Sequence, residues 1–97
     1  MKPLTAADVM DGAITIMEQS RHYQGEDRGP RYADEHCPCT AISRVMRTRH
    51  CAIGAPAEAI KALYKRVGPI PRWSNNADKA EVIRVMREVA AELRRTK

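Results

Sequence analysis

Ninety-seven residues make one domain near the lower end of the common size range, with a core too small for more than several kcal/mol of stability. There is no Phe, and one Trp and three Tyr are the whole aromatic complement, so Ile, Val, Leu, Met and Ala must fill that core, a palette for helices rather than a sheet sandwich. Seventeen Lys and Arg against twelve Asp and Glu leave +5, unevenly spread: residues 1–20 carry one base and three acids (−2), the other 77 carry sixteen bases and nine acids (+7).

Thr5-Ala6-Ala7-Asp8 is an N-cap with an acid three residues on. Ala6, Val9, Met10, Ala13, Ile14, Ile16 and Met17 then share one broad face, with Asp8, Asp11, Thr15 and Glu18 on the other. The spacing predicts an amphipathic helix of about four turns that ends near Arg21. Residues 25–36 are charged and aperiodic, and read as a longer loop. Pro38 suits the first position of a second helix, with Ala41, Ile42, Val45 and Met46 inward, Arg44 and Arg47 outward, and an end before Arg49. Cys51-Ala52-Ile53-Gly54 is a short apolar connector. Pro56 opens a third helix with Ile60, Leu63, Tyr64 and Val67 inward, closed by Gly68-Pro69. Pro69 to Asn76 reads as a stiff segment that fixes Trp73 in place, because proline restrains φ and disfavours helix before it. The last helix starts near Asp78, with Glu81 completing a cap; Val82, Val85, Met86, Val89 and Leu93 face inward, and Arg84, Arg87 and Arg95 outward. The expected fold class is all-α: a compact bundle of about four helices forming a single domain over residues 1–97, with a longer loop at 25–36.

Tyr23-Gln24-Gly25 follows the first helix, Cys39-Thr40-Ala41-Ile42 opens the second, and Ile70-Pro71-Arg72-Trp73-Ser74-Asn75 precedes the last. In this order the motifs resemble a family of short helical proteins of unknown function from bacteria and bacteriophages, with aromatic-Gln-Gly, Cys-x-Ala and Trp-Asn-Asp elements. Trp73 and Cys39 carry over directly. Ser74 and Asn75 stand where that pattern has Asn and Asp, which keeps oxygens able to cap a helix but removes the carboxylate. The resemblance implies no particular activity.

His36, Cys37, Cys39, His50 and Cys51 are groups able to ligate zinc, but Cys-Pro-Cys is not the usual Cys-x-x-Cys knuckle and no second knuckle exists, so no metal is expected. Cys37 or Cys39 at a helix N-terminus, with His36 or His50 as base, is a possible nucleophile lacking any nameable orienting partner. The five glycines match no phosphate-binding loop; no cofactor and no catalytic residue are assigned. No run of about 18 apolar residues is present, so no membrane partner is expected. An odd number of cysteines points to a reducing cytoplasm.

Arg44, Arg47, Arg49, His50, Lys61, Lys65, Arg66 and Arg72 gather around the second and third helices and Trp73. Guanidinium groups beside an aromatic plane suit anions. The expected ligand-binding residues are Arg47, Arg72, Trp73 and Asn75, with Tyr23 and Gln24. The leading expectation is a non-enzymatic binding module, a bacterial or phage accessory or counter-defence protein that holds an anionic, nucleotide-like small molecule or an acidic protein face. A small DNA-binding regulator is the alternative, although about seven residues between helices two and three exceed a helix-turn-helix turn. The acidic face of the first helix and the arginines of later ones are expected to pair copies into a homo-oligomer.

Overall fold

The computed structural model of the protein describes residues 2–22 and 35–95. Helix α1 (Ala6–Gln19) opens on a reciprocal cap: Asp8 N–H donates to Thr5 Oγ1 (3.3 Å) and Thr5 N–H donates to the Asp8 carboxylate (3.1 Å). Ala6, Ala7, Val9, Met10, Ala13, Ile14 and Met17 are buried, whereas Ile16 lies half-exposed at the edge of the stripe. The helix ends at Gln19 with Ser20 as its cap, close to the expected end near Arg21. Arg21–His22 (β1) pairs in parallel with Glu35–His36 (β2), Arg21 opposite Glu35 and His22 opposite His36. The end of the expected 25–36 loop is therefore a strand. Its remainder, 25–34, lies outside the described residues, as do Tyr23 and Gln24.

Helix α2 (Pro38–Thr48) begins with proline where no N–H is needed, and the Thr40 hydroxyl accepts from Cys37 N–H at 2.9 Å. Pro38, Ala41, Ile42 and Val45 are buried; Met46, expected inward, is 52 % exposed because it sits one position past this narrow stripe. Arg49 caps the helix, its N–H donating to Val45 O at 2.9 Å. The connector that follows joins the start of the chain: Leu4 N–H donates to His50 O and Ala52 N–H to Leu4 O, both at 2.9 Å.

Gly54, with φ +82°, takes the left-handed turn that most side chains resist and leads into α3 (Ala55–Val67). The buried strip of α3 is Ala55, Ala59 and Leu63 at four-residue spacing, so the expected inward pair Ile60 and Tyr64 is rotated out of the core. Small alanines let α3 approach its neighbours closely, and the bulkier residues lie on the flank. The segment after Gly68 is a fifth helix, α4 (Ile70–Asn76), rather than irregular chain. Pro71 falls within its first turn, where an amide hydrogen has no helical partner to lose, and Trp73 N–H already donates to Pro69 O at 3.0 Å. The prolines start the helix instead of preventing it.

Helix α5 (Lys79–Arg95) is capped by Asp78, whose Oδ1 accepts from Glu81 N–H at 2.8 Å, and buries Val82, Ile83, Val85, Met86, Val89, Ala90 and Leu93. It runs antiparallel to α1. Lys79 Nζ donates to Glu18 O (3.2 Å) and Ser20 O (2.6 Å), a cation on the negative end of α1. Arg87 meets Glu18 at 2.5 Å, and Arg94 meets Asp8 (3.6 Å) and Asp11. The α1 acids, half-exposed as expected of its polar side, are thus paired with α5 of the same chain. Gly12 lets α2 close on α1 from the other side: a Cβ there would lie 3.1 Å from Val45 Cγ2. No helix among the described residues is long and apolar enough to cross a membrane.

The rotated face of α3 is directly testable. Leu63→Ala, at a site with no exposed surface, should cost about 2–5 kcal/mol in denaturant unfolding. Tyr64→Ala, at a site 56 % exposed, should stay within about 0.5 kcal/mol. Equal losses at the two sites would contradict the orientation of the helix.

Candidate functional site

The distribution of charge partners distinguishes one surface. Arg66 on α3 binds Glu88 and Glu92 of α5, the latter at 3.2 Å; Arg84 binds Glu88 at 2.8 Å; Arg87 and Arg94 bind the acids of α1. By contrast, between Glu35 and Glu58 the sequence holds Arg44, Arg47 and Arg49 and not one acid. All three arginines are exposed, and none forms an ion pair with a described residue. Arg66, one of the expected basic set, is engaged internally and leaves that set.

Arg72 and Trp73 do come together. With Val67, Pro69, Asn76, Ala77 and Glu81 they line a hollow of ≈ 270 Å³ beside α4. Trp73 is half-buried and packs against the core, which fits a ring with one packed and one open side. Asn76, not Asn75, lines the hollow, and Asn76 Nδ2 donates to Arg72 O at 2.8 Å. The Glu81 carboxylate on the rim works against an anion there. Arg47 stands exposed on α2 and is not part of this hollow. A second, larger groove between α1 and α2 carries Arg44 and Arg49 on its walls. These two arginines were not among the expected ligand residues, although the acid-free run from 36 to 57 marks them in the sequence.

The titratable groups near the strands are structural in their contacts. His22 Nε2 lies 2.8 Å from the hydroxyl of Ser74, which has no exposed surface, so this pair joins β1 to α4 and offers no open nucleophile. Burial and the charge of Lys79 hold His22 below the ordinary histidine value, with Asp78 opposing. Burial, helped by neighbouring Cys37, pushes the Cys39 thiol up to about 11, the reverse of the activation that a nucleophile needs. Among the described residues no three or more His, Cys, Asp or Glu side chains gather closely enough to hold a metal ion.

Two outcomes follow for these groups. In the native protein, with labelling of each cysteine read by peptide mass mapping, Cys39 should react with iodoacetamide at about pH 8 roughly a hundred-fold more slowly than in the unfolded chain, because only about one thiol in a thousand is ionised. Fast labelling of the folded protein would contradict the buried thiol. For His22 the folded-state pKa lies below the unfolded one, so stability is complete above the ordinary value of 6.5 and falls as pH drops below it, until the folded-state group also titrates. His22→Gln keeps a hydrogen-bonding group toward Ser74 without the charge, and should flatten that limb of the stability curve. An unchanged limb would show that His22 does not contribute to it.

No curated protein and no solved structure matches this chain. A model of a family of unknown function, DUF6197, matches residues 1–92, nearly its whole length, and the chain belongs to that family.

Proposed function

We propose that the chain is a non-enzymatic module that binds an anionic, nucleotide-like small molecule on the arginine-bearing side of α2. The observation that carries this reading is the contrast in charge partners: Arg66, Arg84, Arg87 and Arg94 are answered by acids of the same chain, while exposed Arg44, Arg47 and Arg49 form no ion pair with a described residue, and Arg44 and Arg49 line one groove. An anion accepts charge-assisted hydrogen bonds from such guanidiniums. Arg72 and Trp73 line a separate hollow beside α4. A bacterial or phage accessory or counter-defence role in the cytoplasm belongs to the same proposal, supported by the order of sequence motifs and by free thiols at Cys37, Cys39 and Cys51. Self-association is also proposed. With the α1 acids occupied by α5, it would draw on exposed Ile60 and Tyr64 of α3.

Six residues, 49–54, separate α2 from α3, more than the three or four of a helix-turn-helix turn. This weighs against the DNA-binding alternative. Native mass spectrometry of the protein purified from cells tests the reading. The expected spectrum shows a bound anionic small molecule that is lost in an Arg44→Glu/Arg47→Glu/Arg49→Glu variant, and the same spectrum gives the oligomer mass. A spectrum without such a species in the wild type overturns the small-molecule reading. Tight binding to duplex DNA that weakens about a thousand-fold or more between roughly 50 and 200 mM salt would establish the regulator instead. A monomer mass would remove self-association.

A further inference from the structure

The groove between α1 and α2 has a volume of ≈ 610 Å³, within the range of about 300–1,000 Å³ usual for small-molecule sites. Its apolar part is formed by Ile16, Val45 and Gly12. Arg44 and Arg49 line it from α2, and Arg49 Nη1 lies only 3.8 Å from the place a Gly12 Cβ would occupy, so this guanidinium rests against α1. Thr15, Gln19, Ser20 and Thr48 complete the lining.

The hydroxyl protons here are already committed. Thr15 donates to Asp11 O (3.2 Å), Thr48 to Arg44 O (2.7 Å) and Ser20 to Ile16 O (2.5 Å). Each hydroxyl oxygen therefore remains as an acceptor, and the donors for an anion are the two guanidiniums and the Gln19 amide. A bare anion would satisfy the arginines but leave the hydroxyl oxygens without a ligand donor. An uncharged polar molecule would satisfy the hydroxyls and leave the arginines unanswered. Asp8 and Asp11 border an adjoining hollow of ≈ 220 Å³ that shares Gly12, Thr15 and Arg49; Arg94 offsets one of their two charges, and Arg44 and Arg49 outweigh the other.

We propose that the α1–α2 groove binds a phosphomonoester whose body carries hydroxyl or amino donors, of sugar-phosphate or nucleotide size, with its phosphate between Arg44 and Arg49. The proposal rests on the anion-binding reading above and places the ligand away from Trp73. Its test is titration of the full chain with ribose phosphate, adenosine monophosphate, adenosine and inorganic phosphate, followed by amide chemical-shift mapping. Both phosphoesters should shift Gly12, Thr15, Gln19 and Thr48, and bind more tightly than inorganic phosphate or adenosine. Arg44→Ala/Arg49→Ala should weaken them about ten-fold or more. Its melting temperature should stay unchanged, since neither side chain is buried or ion-paired with a described residue. Arg72→Ala should behave as wild type. Shifts confined to the Trp73 hollow, with loss only in Arg72→Ala, overturn the groove assignment while leaving the broader reading intact. Adenosine binding as tightly as its monophosphate overturns the role given to the two arginines. Binding of neither phosphoester overturns the ligand class, and the mass spectrum of the purified protein then decides the broader reading separately.

Discussion

Everything in this fold depends on the packing of α1 against α5. These two helices contribute Val9, Met10, Met17, Val82, Met86 and Val89, all without exposed surface, and the other helices pack around the pair. Burial of these side chains drives the association, at roughly 1.5–3 kcal/mol for each large one. The ion pairs at Arg87 and Arg94 are half-exposed and individually worth little. Their contribution is to direction and register: with Lys79 on the end of α1, they match only an antiparallel neighbour.

That packing also determines which charges remain. The acids of α1 meet arginines of α5, and the acids of α5 meet Arg66 and Arg84. Among the described residues, Arg44 and Arg47 of α2, Arg49 at its end, Lys61 and Lys65 of α3 and Arg72 of α4 are left outside this pairing, and α2 has no acid of its own. A net charge of +5 would mean little if it were spread evenly. Here two of those arginines, Arg44 and Arg49, line one groove.

Much of the fold was legible because local chemistry and periodicity agree. Thr5 with Asp8, Pro38 at a helix start, Gly68 at a helix end and Asp78 with Glu81 all act within a few residues, and the structure shows each in place. The α5 stripe was legible for the same reason. The errors have physical causes. Pro69 and Pro71 were read as breakers, whereas their positions at the start of α4 remove no helical hydrogen bond. On α3, Ile60 and Tyr64 outrank Ala59 in hydrophobicity, but close helix packing favours the small residue. A two-residue strand such as Arg21–His22 has no periodicity to detect. That the half-exposed α1 acids pair with α5 was not legible, because a single helix does not reveal which neighbour its polar edge meets. The site shows the same division. Arg72 beside Trp73 was visible from adjacency, whereas the partnership of Arg44 and Arg49 with Gly12 and Thr15 needed two helices laid side by side.

The antiparallel pair at the centre also constrains the order in which the domain can form. Helix α1 is synthesised before α5, so the α1–α5 interface closes only after the last helix of the described chain is made. Leu4 likewise waits for the backbone of His50 and Ala52. Hydrophobic surface made early and covered late is what holding chaperones recognise. A nascent chain halted before α5 would hold α1 with α2 and α3 but lack Val82, Met86 and Val89, the α5 side of the core.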